Sequence, residues 1–135
     1  MRDNHAVQEW IRYAESAYVL ANKGKVSTKV LYNDLCFEAQ QSAEKAIKAL
    51  LIFYNIKFPK THDIEYLLNL LKQAKVDIPE VVRDAKILTD YANLSRYPDS
   101  FDTIDKKEYK QAIKLTEKVL KWAKSIIEKK ENKLF

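Results

Sequence analysis

The side chains best suited to chemistry in this sequence lie in the run LSRYPD at residues 94–99. Arg96 offers a planar guanidinium that can bind a phosphate through two parallel hydrogen bonds. Tyr97 offers an aromatic face on which a base can stack. Pro98 ends the preceding helix, because its ring removes a backbone donor and pushes Tyr97 out of helical geometry. This corner is therefore a candidate site for a nucleotide or RNA.

The corner also has a purely structural interpretation. The carboxylates nearest to it in sequence are Asp90, Asp99 and Asp102. Arg96 can form an ion pair with one of them, and Tyr97 can pack as a corner residue. On composition alone, the structural interpretation is slightly favoured.

His62 is the second candidate, and it stands directly before Asp63 at the start of a predicted helix. Its imidazole can donate a hydrogen bond to the Asp63 carboxylate, and histidine changes its charge nearest to neutral pH. A lone histidine at a helix start is more often a cap or a surface residue than a catalyst, so no catalytic residue is assigned. The candidate ligand-binding residues are Arg96, Tyr97, Asp99, His62 and Asp63.

The sequence lacks the patterns of a metal centre and of the common nucleophilic enzymes. Bundles that bind two irons use paired Glu-x-x-His motifs. Here the third residue after Glu38 is Gln41, and the third residue after Glu44 is Ile47. Cys36 is the only cysteine, which excludes a disulfide framework and a cysteine-based zinc site, and its hydrophobic neighbours predict a buried thiol. No glycine-rich phosphate loop or Gly-x-Ser-x-Gly motif occurs. We expect neither a metal nor a cofactor.

Charge is distributed unevenly along the chain. Residues 1–105 hold 14 Lys and Arg against 15 Asp and Glu, whereas residues 106–135 hold ten Lys against four Glu. The net charge of +5 therefore comes from the last segment. A basic helix can hold nucleic acid or another polyanion electrostatically. A solvated, lysine-rich outer face explains the same pattern and is the commoner case.

Hydrophobic periodicity predicts an all-helical protein. One Gly and three Pro among 135 residues favour long helices over the many turns of a β fold. Apolar residues recur with helical spacing in about five segments. We expect a single domain, residues 1–135, folded as an antiparallel up-and-down bundle of about five helices. The predicted helices run from Asp3 or Asn4 to Gly24, from between Ser27 and Asn33 to about Asn55, from Asp63 to Lys75, from Pro79 to Pro98, and from Asp105 to about Ile127.

Several local features follow from the same patterns. Gly24 is expected to end the first helix, and Thr61 or Asp63 to cap the third. Asp105 and Glu108 have the spacing of a capping box at the start of the last helix.

The faces of two helices are predicted as well. Glu44 and Lys48 are expected to form an exposed pair on the outer face of the second helix. Val81 and Val82 both fall on the buried stripe of the fourth helix.

The longest apolar stretch, residues 49–54, is too short to cross a bilayer, and no signal peptide is recognised at the N-terminus. We therefore expect no association with a membrane and a cytoplasmic location.

The order of these features resembles the HEPN family (higher eukaryotes and prokaryotes nucleotide-binding). Residues 32–51, YNDLCFEAQQSAEKAIKALL, resemble the signature second helix of that family. Residues 58–64, FPKTHDI, resemble its loop into the third helix. Residues 88–92 and 95–99, LTDYA and SRYPD, resemble its fourth helix and the corner after it. The resemblance covers roughly residues 5–127.

The resemblance implies a helical bundle that commonly dimerises and often partners a minimal nucleotidyltransferase, as a toxin–antitoxin couple. Many relatives are metal-independent RNases in which an Arg, followed a few residues later by a His, lines a cleft between two subunits. Arg96 matches that Arg. The stretch where the His would fall holds Ser100, Phe101, Asp102 and Thr103.

The resemblance therefore leads to a binding module with little or no catalysis as the preferred hypothesis. It would form a homodimer, bind a nucleotide or RNA near Arg96 and Tyr97, and partner a minimal nucleotidyltransferase. The alternative is a metal-independent RNase in which His62 takes the place of the missing histidine. A scaffold without a ligand is the third possibility.

Overall fold

The computed structural model describes residues 4–94 and 104–132, and this part of the chain is helical without any strand. The predicted all-helical class is confirmed. No helix in these ranges is long and apolar enough to span a lipid bilayer. The elements are α1 (Asn4–Asn22), α2 (Tyr32–Phe53), α3 (Ile64–Gln73), α4 (Glu80–Arg83), a 3₁₀ helix (Asp84–Asp90), α5 (Tyr91–Leu94) and α6 (Lys106–Asn132).

α2 is the central element, because α1, α3, α5, α6 and the 3₁₀ helix all pack against it. Its alanines allow the neighbouring helices to come close. The hydroxyl of Ser42 donates to the backbone carbonyl of Ala14 on α1 at 2.7 Å. The hydroxyl of Thr116 on α6 donates to the carbonyl of Ala39 at 3.1 Å. Direct bonds from a short side chain to another helix's backbone require such close packing.

α1 and α6 run in opposite directions. The Tyr109 hydroxyl, near the start of α6, donates to the carbonyl of Ala21 at the end of α1. Farther along α6, Lys124 pairs with Glu15, which lies earlier in α1, at 2.9 Å. The prediction of an antiparallel helix bundle is confirmed.

Three predicted helix ends have the expected local geometry. Gly24 follows α1 with a φ of +72°, in the left-handed region that glycine tolerates. The Asp63 carboxylate caps α3 by accepting from the Tyr66 N–H at 3.1 Å. The Asp105 carboxylate caps α6 by accepting from the Glu108 N–H at 2.8 Å.

The predicted fourth helix is divided into α4, the 3₁₀ helix and α5. It buries Ala92 and also Val82, Ala85, Leu88 and Tyr91, the last four at a regular spacing of three residues. Their spacing of three matches the 3.0 residues per turn of a 3₁₀ helix, so one straight line of side chains faces the core. Val81, predicted on the buried stripe, is 39% exposed and lies off this line.

Candidate ligand-binding site

A buried polar cluster lies between the middle of α2 and the start of α3. It consists of Gln40, Glu44 and Lys48 from α2 and His62 from the connection before α3, and we name it the Glu44 cluster. The three α2 residues share one face because they are four residues apart. Relative exposures of 0%, 3% and 8% show that Gln40, Glu44 and Lys48 are buried.

The Glu44 carboxylate is the centre of this cluster and has three side-chain partners. The ammonium group of Lys48 donates to Oε2 at 2.8 Å. The Gln40 amide donates to Oε1 at 2.8 Å, and His62 Nδ1 lies 2.8 Å from the same oxygen. The expectation of an exposed Glu44–Lys48 pair was wrong, because neighbouring elements cover α2 at this level.

Burial alone would raise the pKa of the Glu44 carboxyl. The hydrogen bonds from Lys48, Gln40 and His62 outweigh burial and lower that pKa below its ordinary value. Glu44 is therefore a carboxylate at neutral pH and can only accept hydrogen bonds. It follows that His62 Nδ1 carries a proton and donates it to Glu44.

The orientation of His62 leaves its second nitrogen available. The side chain is 49% exposed, although the carboxylate that holds it is only 4% exposed. No hydrogen bond to Nε2 occurs within the described residues. In the neutral imidazole this nitrogen is an acceptor, and in the charged imidazolium it is a donor. The cluster therefore presents one oriented imidazole nitrogen at the surface.

Asp63 has a different role from the one expected beside His62. Its carboxylate accepts from the Tyr66 N–H and caps α3. The imidazole of His62 pairs with Glu44 instead, 18 residues earlier in the chain. Asp63 fixes the start of α3, and Glu44 fixes the ring that precedes it.

Two aromatic rings cover the cationic side of the cluster. The Lys48 ammonium lies 5.7 Å from the ring centroid of Trp10 and 5.8 Å from that of Phe58. The two rings meet edge to face at 6.4 Å. Cation–π attraction adds to the ion pair, whose Lys48 side chain is only 10% exposed.

Arg96, Tyr97 and Asp99, predicted to bind a ligand, lie outside the described residues. The 3₁₀ helix, which precedes α5 and this corner, is joined to the start of α3, because the Thr89 hydroxyl accepts a hydrogen bond from the Ile64 N–H at 3.0 Å. Ile64 is only two residues after His62. The described chain before the corner is therefore attached next to the Glu44 cluster.

The described chain after the corner is attached to α2 and α5. The Asn33 side chain, 6% exposed, accepts from the Ile104 N–H at 3.4 Å. The Tyr91 hydroxyl donates to the Glu108 carboxylate at 2.5 Å. Both described ends of the corner are therefore fixed by buried or partly buried hydrogen bonds.

The remaining candidates for chemistry are sparse in the described part of the chain. No three His, Cys, Asp or Glu side chains converge there as metal ligands. Cys36 is fully buried, as predicted, and burial raises the pKa of its thiol to about 12. A thiol in that state is a poor nucleophile.

Comparison with known proteins assigns a family to this arrangement. The sequence profile of the HEPN domain matches residues 7–127. The crystal structure of ST0689, an archaeal HEPN homologue, is similar, with 29% identity, a TM-score of 0.70, and coverage of 90% of this chain and 97% of that one. The crystal structure of TT1696 from Thermus thermophilus is similar too, with 28% identity, a TM-score of 0.75, and coverage of 88% and 96%. No curated protein matches significantly. The chain belongs to the HEPN domain family.

Proposed function

We propose that this HEPN domain binds a nucleotide or RNA at a site formed by Arg96, Tyr97 and His62. The observation that supports this most directly is the oriented imidazole of His62. A buried carboxylate fixes its Nδ1 at 2.8 Å, while half of the side chain stays exposed. Because the ring is held before a ligand arrives, little ordering of this side chain opposes binding.

The other proposed site residues supply complementary chemistry. The Arg96 guanidinium binds phosphate oxygens, and the Tyr97 ring stacks on a base. Asp99 follows them in the same corner and accepts hydrogen bonds from ribose hydroxyls or base amines. Asp63 acts indirectly, since its cap fixes the helix start that carries His62.

A second candidate function is a metal-independent RNase that uses Arg96 and His62. The pairing of Glu44 with His62 favours it, because general bases are commonly imidazoles oriented by a carboxylate. In this mechanism Nε2 of the neutral ring would take the proton from a ribose 2′-hydroxyl. Arg96 would stabilise the charge that develops on the phosphate.

Binding and cleavage can be separated with one set of variants. We expect Arg96→Ala and His62→Ala each to weaken binding of ATP or of a short RNA about tenfold or more. Arg83→Ala removes the same charge from an exposed position on α4 and should leave affinity unchanged. RNA cleavage that both site variants abolish would favour the enzyme, and binding without cleavage would favour the module. If neither site variant changed affinity, the proposed site would be wrong.

The partnerships belong to the proposal as well. The chain is proposed to form a homodimer and to partner a minimal nucleotidyltransferase of the toxin–antitoxin type. Exposed apolar side chains near the end of α1 and in the connection to α2 offer a surface for a second copy, namely Val19, Leu20, Val26 and Leu31. Sedimentation of the purified protein tests the dimer. Co-expression with the product of the neighbouring gene tests the partner, and failure to co-purify would count against it.

A further inference from the structure

One face of α6 carries a row of lysines that the proposed site does not use. Spacings of three and four residues place them on the same side of the helix. At 1.5 Å per residue the row is about 21 Å long. We name it the lysine row; its members, all exposed, are Lys107, Lys110, Lys114, Lys118 and Lys121.

The two α6 carboxylates that fall within the length of the row, Glu108 and Glu117, are engaged on its flanks. Glu108 accepts a hydrogen bond from Tyr91 at 2.5 Å. Glu117 accepts from Tyr18 at 2.9 Å and pairs with Lys121 at 2.8 Å. Among the described residues, the other four lysines of the row have no carboxylate within ion-pair distance. The row is therefore a line of mostly uncompensated positive charge.

Such a row is not what the stability of the helix alone would favour. An exposed helix face gains stability when Glu and Lys alternate at a spacing of four, whereas like charges at that spacing repel each other. Lys110, Lys114 and Lys118 are spaced in this repelling manner. A polyanion lying along the row would remove the repulsion. A ligand with regularly repeated negative charge would therefore be complementary to the row.

We propose that the lysine row binds the sugar–phosphate backbone of single-stranded RNA without reading its sequence. This inference rests on the proposed function, because the ligand is the RNA proposed to bind at Arg96, and α6 begins at Lys106, ten residues after Arg96. The row contains no aromatic residue that could stack on bases, so contact is with phosphates alone.

The composition of the row favours RNA over an acidic protein partner. Protein–protein interfaces are enriched in Arg and aromatic residues and depleted in Lys. The row contains only lysines, and α6 contains no arginine. Flexible ammonium groups suit a ligand whose phosphates vary in position, since each is a point charge without a fixed fork geometry.

The test compares two variants with the same loss of charge. The row variant is K107Q/K110Q/K114Q/K118Q. The control variant is K23Q/K29Q/K57Q/K72Q, which changes four exposed lysines outside α6, three of them in connections between helices and one on α3. Affinity for a fluorescent 20-nucleotide oligo(U) is measured by anisotropy between 50 and 200 mM KCl, and circular dichroism checks that both variants fold.

We expect the slope of log affinity against log salt to become shallower by about 0.7 for each lysine that contacts a phosphate. The row variant should therefore lose a slope of roughly 2 to 3, with at least tenfold weaker binding at low salt. The control variant should retain the wild-type slope. In the unmodified protein, bound RNA should protect the row lysines, but not the control lysines, from chemical acetylation.

Equal slopes for the row and control variants, or no protection, would overturn the inference. It would also be overturned if polyglutamate competed as well as RNA at equal charge, since that result would indicate an acidic protein. Arg96→Ala separates this inference from the proposed function. If Arg96→Ala weakens RNA binding and the row variant does not, the proposed function is supported and the role of the lysine row is contradicted. If the wild type binds neither RNA nor ATP, both proposals are contradicted.

Discussion

Glu44 is the residue at which burial and hydrogen bonding oppose each other most directly. Its pair with Lys48 has a counterpart on the surface, the pair of Glu117 with Lys121. Both pairs have a spacing of four residues and a distance of 2.8 Å. They differ in burial, since the side chains of the first pair are 10% and 4% exposed and those of the second 74% and 41%. The exposed pair of Glu117 with Lys121 is therefore an internal control for the effect of burial on the stability contribution of the Glu44–Lys48 pair.

Lys48→Met should destabilise the protein by about 3 kcal/mol, because it leaves a buried carboxylate with only neutral donors and His62. Lys121→Met should leave the unfolding midpoint nearly unchanged, since water solvates its exposed partner. Urea unfolding of both variants measures the difference. Similar decreases in the free energy of unfolding for the two variants would show that water solvates the Glu44 carboxylate.

Cys36 gives a pH dependence whose sign follows from its burial. Burial raises the pKa of the thiol from 9.0 to about 12, so the folded state keeps a proton that the unfolded state releases. Stability is then full below pH 9 and decreases as the pH rises towards 12. The contribution of this one group is about 1.4 kcal/mol per pH unit in that window.

Cys36→Ala should remove this contribution. Between pH 9 and 10, the free energy of unfolding of the variant should fall less steeply than that of the wild type. Unfolding in urea at several pH values measures both slopes, and any constant offset from the lost sulfur does not affect the comparison. Parallel slopes would mean that the thiol ionises without unfolding.

Sequence patterns predicted the roles of residues that depend on near neighbours in the chain and missed the roles that depend on tertiary contacts. The caps at Asp63 and Asp105 depend on neighbours within three residues, so local spacing predicted them. The burial of Glu44 depends on which sides of α2 are covered, and its pairing with His62 joins residues 18 apart. The small number of charged residues in α2 was the available sign that little of this helix is exposed.

At the scale of elements, long helices were easier to predict than short ones. α1, α2, α3 and α6 repeat their apolar pattern over two or more turns, which distinguishes a helix from other structures. The predicted fourth helix also repeats its apolar pattern, but Val82, Ala85 and Leu88 are three residues apart and fit a period of 3.0 at least as well as one of 3.6. Its division between α and 3₁₀ geometry therefore required the structure.

Val81 and Val82 test the geometry of this segment. Val82 is 1% exposed and Val81 is 39% exposed, whereas the sequence pattern placed both on the buried stripe. Val82→Ala should cost about 2 kcal/mol through lost burial and the cavity left behind. Val81→Ala should cost well under that, about 0.5 kcal/mol. Thermal unfolding compares the two, and equal costs would favour a continuous helix with both valines buried.

At the scale of the whole molecule, α2 joins the fold to the candidate site. α2 carries three residues of the Glu44 cluster, and the other long helices, α1, α3 and α6, all pack against it. The all-helical class and the family could be predicted from sequence, because the residue types of α2 are distinctive. The Glu44 cluster was predicted only in part: His62 was identified as a candidate, but the carboxylate that orients it was not.

The central claim is that His62 and Arg96 contact one ligand. A double-mutant cycle tests it most directly, with the affinity of a short RNA measured for wild type, His62→Ala, Arg96→Ala and the double variant. We predict a coupling free energy above about 0.5 kcal/mol, because groups that hold the same ligand do not lose affinity independently. Losses that add to within about 0.3 kcal/mol would contradict the claim, because residues that share no partner contribute additively.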